Sequence, residues 1–229
     1  MVCVAADRCS IFELPVKDII KNTKLSTSHL STWTSKESQF NTRIGNVVEA
    51  CNKETTTVVD LTRCDLANFP EYEIDKPQII QSIKLSHNKL QALPPGIKEF
   101  KKLKELLLAD NVLTRLQPEV CMLKLLRKLD ISDNYLISLP QQLGRLVALE
   151  ELIISKNEIS VLPAEIGALT NLTILDASHN RLSSLPREMA NLRKLVKLFI
   201  DNNSFSDTIS EVADGTFFSW PLLTLSSAF

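Results

Sequence analysis

Apolar and polar residues follow a frame that recurs about every 23 residues along most of this chain. The copy from 149 to 163 has the form L-x-x-L-x-I-x-x-N-x-I-x-x-L-P. Its strand-like part alternates with period two, so Leu106 and Leu108 are expected to point inward while Leu107 and Ala109 point outward. Each copy is therefore predicted to contain a short strand, which buries its apolar side only by stacking against neighbouring copies.

One inward position in each copy is polar and keeps a constant spacing of 24 residues once and then 23 five times. It is occupied by Cys64, Asn88, Asn111, Asn134, Asn157, Asn180 and Asn203. The turn after each strand carries backbone amides inside, and a short side chain with a donor and an acceptor bridges adjacent turns. An unpaired amide there would cost about 1–3 kcal/mol. We therefore predict an asparagine ladder, which the weak thiol of Cys64 begins at an end repeat.

The frame resembles the leucine-rich repeat, in which each copy forms one turn of a solenoid. The resemblance implies an α/β fold with a curved parallel β-sheet on the concave face and short helical or irregular segments on the convex face. About seven repeats fill an expected repeat domain from 56 to 205. Their predicted bounds are 56–79, 80–102, 103–125, 126–148, 149–171 and 172–194, with a degrading copy from 195 to roughly 214.

A longer sequence pattern indicates which class of leucine-rich repeat proteins this chain resembles. From Leu139-Pro140 to Leu162-Pro163 the chain is similar to the intracellular class that contains the Ras-suppressor and plant Ras-group-related proteins. The motifs Val59-Asp60-Leu61 and Phe69-Pro70, with the run 118–124, are similar to small stand-alone members, and the similarity extends from about 43 to 205. It implies a scaffold that binds proteins, with a component of a small-GTPase pathway as a candidate partner, and it brings no catalytic residue.

Both ends of the chain depart from the frame. Residues 1–40 are rich in Ser, Thr and Lys and are predicted to be largely disordered. Within 41–55, the residues Ile44, Val47, Val48 and Cys51 have helical spacing, which predicts a helix that caps the first repeat. An isolated amphipathic segment is the alternative. Residues 206–229 combine a degenerate final repeat with an apolar tail, which is a plug over the last repeat, a partner-docking segment or a product of splicing or a faulty gene model.

Outward strand positions form columns on the predicted concave face. The central column alternates apolar and acidic residues from the third copy onward: Leu107, Asp130, Ile153, Asp176 and Phe199. Adjacent strands lie about 4.8 Å apart, so the three apolar residues are expected roughly 10 Å apart with a carboxylate between them. A flanking column contains Glu105, Lys128 and Glu151, and Tyr135 adds an aromatic ring from the adjacent loop. We predict that these residues bind a protein partner with basic groups.

Composition limits the other function classes. The 229 residues carry a net charge of −1, which gives no bulk attraction to nucleic acid or to an anionic membrane. Five cysteines are scattered rather than paired at the repeat ends, which favours a reducing, cytoplasmic location. No run reaches the length of a membrane-spanning helix.

Catalytic, metal and cofactor sites are not predicted. His87 and His179 occupy the same repeat position but are four copies apart, and Cys121 has no histidine nearby in sequence. We expect a monomeric, non-catalytic adaptor. The alternatives are a regulatory subunit that recruits an enzyme such as a phosphatase, and a truncated isoform without function.

Overall fold

The computed structural model describes residues 35–53, 56–70 and 74–205. It contains one α-helix, α1, at Ser35–Asn52. Seven strands follow: β1 (Val58–Asp60), β2 (Ser82–Lys84), β3 (Glu105–Leu107), β4 (Lys128–Asp130), β5 (Glu151–Ile153), β6 (Ile174–Asp176) and β7 (Lys197–Phe199). They form a single parallel sheet in chain order, which confirms the predicted solenoid of stacked repeats.

The constant repeat length sets the register of the sheet. Asp60 pairs with Lys84, 24 residues later, and every following strand pairs with a residue 23 positions further on, as Leu107 does with Asp130. Because no copy gains or loses a residue after the first, equivalent side chains lie beside one another along the whole sheet. The columns predicted from the frame are therefore present as hydrogen-bonded neighbours.

The opposite side of the solenoid is built from 3-10 helices, one per turn. Their bounds are Pro77–Ile79, Pro95–Glu99, Pro118–Met122, Gln141–Arg145, Ala164–Ala168 and Arg187–Asn191. In four of them the residue before the helix is the proline of the Leu-Pro pair, with φ between −67° and −71°: Pro94, Pro140, Pro163 and Pro186. Gln117 replaces that proline in the third copy, and its Oε1 accepts a hydrogen bond from the Leu93 amide at 3.3 Å.

The ladder asparagines connect successive turns inside the solenoid. The Oδ1 atom of Asn134 accepts from the Leu113 amide at 2.9 Å, and its Nδ2 donates to the Leu108 carbonyl at 3.0 Å. Asn88 accepts from both the Cys64 and Leu66 amides at 3.0 Å. Asn203 is only half-buried, whereas the five asparagines before it are buried.

Helix α1 covers the first repeat. Cys51 is fully buried, and Ile44 and Val47 pack against the core. The helix begins at Ser35 rather than at the predicted Asn41, because adding turns to an existing helix costs little even without an apolar face. Residues 1–34 and 206–229, for which we predicted disorder and an apolar tail, lie outside the described residues.

One backbone feature recurs before each ladder position. Seven equivalent residues, none of them glycine, have φ between 52° and 59°: Arg63, His87, Asp110, Asp133, Lys156, His179 and Asn202. This left-handed conformation is uncommon for residues with a Cβ, and Asn, Asp and His tolerate it best. Five of the seven are of those three types, so the recurrence of histidine at this position has a conformational explanation.

Candidate functional site

The central column of the sheet is the core of the candidate site. Register places Leu107 beside Asp130, Asp130 beside Ile153, and so on through Asp176 to Phe199. All five residues are half-buried. The apolar members are therefore less exposed than we expected for a solvated sheet face. Leu107 and Ile153 have neighbouring strands about 4.8 Å away on both sides, and Phe199, on the last strand, has one on one side. They still present an ordered alternation of apolar and acidic groups.

The two central carboxylates are held by serines of their own repeats. Asp130 Oδ1 accepts from the Ser132 amide at 3.0 Å and from the Ser132 hydroxyl at 2.7 Å. Asp176 makes the same two bonds with Ser178, at 3.0 Å and 2.7 Å. In both residues Oδ2 has no hydrogen bond to the described part of the chain. Each carboxylate is thus fixed in direction and keeps one oxygen for a ligand.

The flanking column is a charged line across three strands. Glu105, Lys128 and Glu151 are neighbours in register, and Lys128 Nζ lies 2.8 Å from Glu151 Oε2. The hydrogen bond with Glu151 raises the pKa of Lys128, and the charges of Glu105 and Asp130 act in the same direction. Glu105 Oε2 accepts a hydrogen bond of 2.6 Å from the Ser82 hydroxyl. The charge of Lys128 is therefore offset by its pairing with Glu151, and the flanking column of Glu105, Lys128 and Glu151 keeps a net negative charge.

Tyr135 lies outside the strands, in the loop that follows ladder residue Asn134. Its side chain is 55% exposed. Ile137, two residues later in the same repeat, is 63% exposed, and Val161 in the next repeat is 60% exposed. Small polar residues adjoin the two aliphatic residues in the chain, Ser138 after Ile137 and Ser160 before Val161. An apolar centre with a polar rim is typical of protein-binding surfaces. We did not single out Ile137 or Val161 from sequence, although their position between buried leucines indicates exposure.

The described residues contain no group of three or more His, Cys, Asp or Glu side chains that could hold a metal ion. His87 Nδ1 lies 2.6 Å from Asp110 Oδ2, and His179 Nε2 lies 3.0 Å from Asn202 Nδ2, each in the left-handed turn before a ladder asparagine. Burial raises the pKa of the Cys121 thiol to about 11, which makes it a poor nucleophile.

Within the described part of the chain, no helix has the length and apolar character needed to cross a bilayer.

Comparison with known families agrees with this architecture. A family model described as a leucine-rich repeat matches residues 78–136 and 101–159, and one described as a leucine-rich repeat region matches 140–213. Together they cover more than half of the chain, which belongs to the leucine-rich repeat proteins. No curated protein matches the chain significantly.

Solved structures share the same fold. A leucine-rich repeat protein of Leptospira interrogans is 30% identical with a TM-score of 0.62, over 72% of this chain and 43% of its own. The leucine-rich effector YopM of Yersinia pestis is 24% identical with a TM-score of 0.59, over 75% and 49%. A plant peptide hormone receptor, solved in complex with RGF2, is 33% identical with a TM-score of 0.54, over 59% and 22%. The chain thus spans less than half the length of each.

Proposed function

We propose that this chain is a non-catalytic adaptor whose concave sheet binds a protein segment carrying basic and apolar side chains. The observation that carries the proposal is the alternating column from Leu107 to Phe199, with its serine-anchored carboxylates. Leucine-rich repeat proteins commonly act as interaction scaffolds, which supports a protein as the ligand. We further propose that Tyr135, Ile137 and Val161 extend the contact beyond the edge of the sheet.

Charge complementarity supports a basic partner. The outward positions of β1–β7 carry five carboxylates and three lysines, and Lys128 is already paired with Glu151. Two lysines or arginines spaced by roughly 10 Å would reach Asp130 and Asp176. Apolar groups between and beside them would cover Ile153 and its neighbours, excluding water from the ion pairs and strengthening them.

The proposal is tested by capturing partners from native cells with the tagged full chain and quantifying them by mass spectrometry. The double variant Ile153→Ala with Phe199→Ala is compared with Val58→Ala and Val196→Ala, which also truncate exposed apolar residues but lie outside the central column. We expect specific partners to be lost with the first pair only. Equal recovery with both pairs, in variants of unchanged circular dichroism, would rule out the central column as the binding surface.

The acidic contribution is tested separately on a recovered partner. Asp130→Asn with Asp176→Asn keeps the acceptor for each serine while removing two charges. The association rate should fall and its dependence on salt should weaken, because steering by the carboxylates is lost. An unchanged salt dependence would contradict the basic partner while leaving the apolar contact in place.

We also propose a cytoplasmic, monomeric protein of the Ras-suppressor-like class, similar to the stand-alone leucine-rich repeat-containing protein 57, with a role in small-GTPase-type signalling. The longer pattern from 139 to 163 supports this assignment. Recovery of a stoichiometric catalytic subunit, such as a phosphatase, would instead support a regulatory subunit. Sequencing the transcript across the codons for 207–229 tests whether the chain is a truncated isoform.

A further inference from the structure

A second surface lies on the outer flank of the solenoid, where the chain leaves each 3-10 helix and approaches the next strand. In the second to fourth repeats this flank carries five basic residues, Lys98, Lys101, Lys102, Lys124 and Arg145. It also carries three of the exposed large apolar residues of the described chain: Met122 is 45% exposed, Leu125 49% and Val147 52%. We call these eight residues the basic flank.

Contacts in later repeats show which flank positions are neighbours. A Cβ built on Gly144 would lie 3.3 Å from the Cβ of Ala168 in the next repeat. The equivalent pair two repeats earlier is Lys98 with Met122. Asn171 Nδ2 donates to the Val147 carbonyl at 2.8 Å, and the equivalent pair two repeats earlier is Leu125 with Lys101. The apolar side chains are therefore interleaved with the lysines rather than separated from them.

The cations of this surface have few partners within the described chain. Lys101 Nζ lies 3.9 Å from Glu99, a long and exposed contact. Lys98, Lys102, Lys124 and Arg145 form no ion pair with another described residue. On this surface the positive charges have few ion-pair partners, and the apolar side chains among them are exposed to solvent. The net charge of the chain, −1, does not reveal this basic surface, because the acidic residues of the concave column, which lie on a different face, offset its positive charge.

We propose that the basic flank binds the surface of an anionic lipid bilayer, so that the solenoid lies on the membrane with its concave face accessible to a protein partner. Lysines near an anionic surface each gain about 1 kcal/mol, and aliphatic side chains among them enter the boundary between headgroups and acyl chains. The long lysine stems pack along the apolar groups while their ammonium groups contact lipid phosphates.

Other ligands of the same charge fit less well. Single-stranded nucleic acid is bound through stacking on aromatic rings, and the basic flank contains none. An acidic peptide would be bound through its carboxylates by the same lysines, but it would leave Met122, Leu125 and Val147 without a partner unless it also carried apolar groups at matching spacing. A bilayer presents phosphate groups and acyl chains across its whole surface. It can therefore contact the interleaved lysines and apolar side chains of the basic flank without any particular alignment.

The test is sedimentation of the full chain with vesicles of phosphatidylcholine alone and of phosphatidylcholine mixed with phosphatidylserine. Binding should occur with the anionic vesicles and weaken as ionic strength rises from about 0.1 M to about 1 M, where the Debye length falls from about 10 Å to about 3 Å. Lys101→Gln with Lys102→Gln should reduce the partition coefficient roughly 25-fold, at about fivefold for each lysine.

The matched control is Arg193→Gln with Lys194→Gln, which removes the same charge from the equivalent positions four repeats later. Both variants keep residues 206–229, so any binding by that apolar segment is common to them. The control should bind like the wild type, and Met122→Ser with Leu125→Ser should lose the binding that remains at high salt. Equal losses in the two charge variants, no preference for anionic vesicles, or binding only to an acidic polypeptide or RNA would each overturn the proposal.

Discussion

Asn134 joins its own repeat to the preceding one through the amide of Leu113, which donates to Asn134 Oδ1 at 2.9 Å. Its Nδ2 also donates to the carbonyls of Leu108, Ile131 and Ser132, at 3.0, 3.2 and 2.9 Å. The two hydrogens of Nδ2 are thus shared among three carbonyls, and one buried side chain bonds to backbone groups of two repeats. Five equivalent residues make corresponding bonds, so the ladder resists any sliding of one turn against the next.

Replacing Asn134 by alanine should lower the free energy of unfolding by about 3 kcal/mol, because several buried backbone groups lose their partner. Asn203→Ala should cost about half as much, since that residue is half-buried and water can replace its bonds. Urea denaturation followed by circular dichroism measures both, with exposed Asn191→Ala as the control. A ladder variant no less stable than the control would contradict the role assigned to Asn134.

The left-handed turn before each ladder residue predicts an unusual effect of glycine. Lys156 has φ of 53°, so Lys156→Gly should stabilise the fold by about 0.5–1 kcal/mol, after the entropy of glycine in the unfolded chain is subtracted. Arg181 is not among the residues with positive φ, and Arg181→Gly should be destabilising. Thermal unfolding of the two variants gives shifts of opposite sign if the backbone assignment is right.

Two glycines allow the same substitution to be compared in opposite environments. A Cβ on Gly167 would clash with the Glu188 carbonyl oxygen of the next repeat, so Gly167→Ala must push two repeats apart and should cost about 2 kcal/mol. Gly45 lies inside α1, and apart from the helix's own backbone no described residue lies within 4 Å of such a Cβ. Gly45→Ala should therefore stabilise by about 0.5–1 kcal/mol through helix propensity. Equal effects in chemical denaturation would show that the close contact at Gly167 is absent in solution.

Cys121 predicts a dependence of stability on pH. Burial raises the pKa of its thiol from 9.0 to about 11, an effect that nearby Arg145 opposes and Glu119 reinforces. The folded state therefore favours the protonated thiol. The resulting stability, about 3 kcal/mol, is fully present below pH 9 and is lost as pH rises through about 11. Urea midpoints measured between neutral pH and pH 11 should fall more steeply for the wild type than for Cys121→Ala. Parallel curves would contradict the raised pKa.

Much of the architecture follows from spacing in the sequence. The interval of 23 residues between ladder positions requires equal turns, so Leu107, Asp130 and Ile153 had to become neighbours in a parallel sheet. The start of α1 was placed too late, because a helix extends beyond its apolar face at little cost. A binding role for Ile137 and Val161 was not predicted. Their place in the frame, between buried apolar residues, indicates exposure, but exposure alone does not indicate binding.

The sequence by itself determined the repeat, the inward residues, the asparagine ladder and the order of the outward columns, since each depends only on periodicity and on the need to pair buried amides. The tertiary structure decided which charged groups pair and which stay exposed. Asp130 binds Ser132, Lys128 binds Glu151, and the lysines of the basic flank remain largely unpaired. Which of two possible partners a side chain binds depends on distances that differ by an ångström or less. The spacing of residues along the chain does not determine distances so finely.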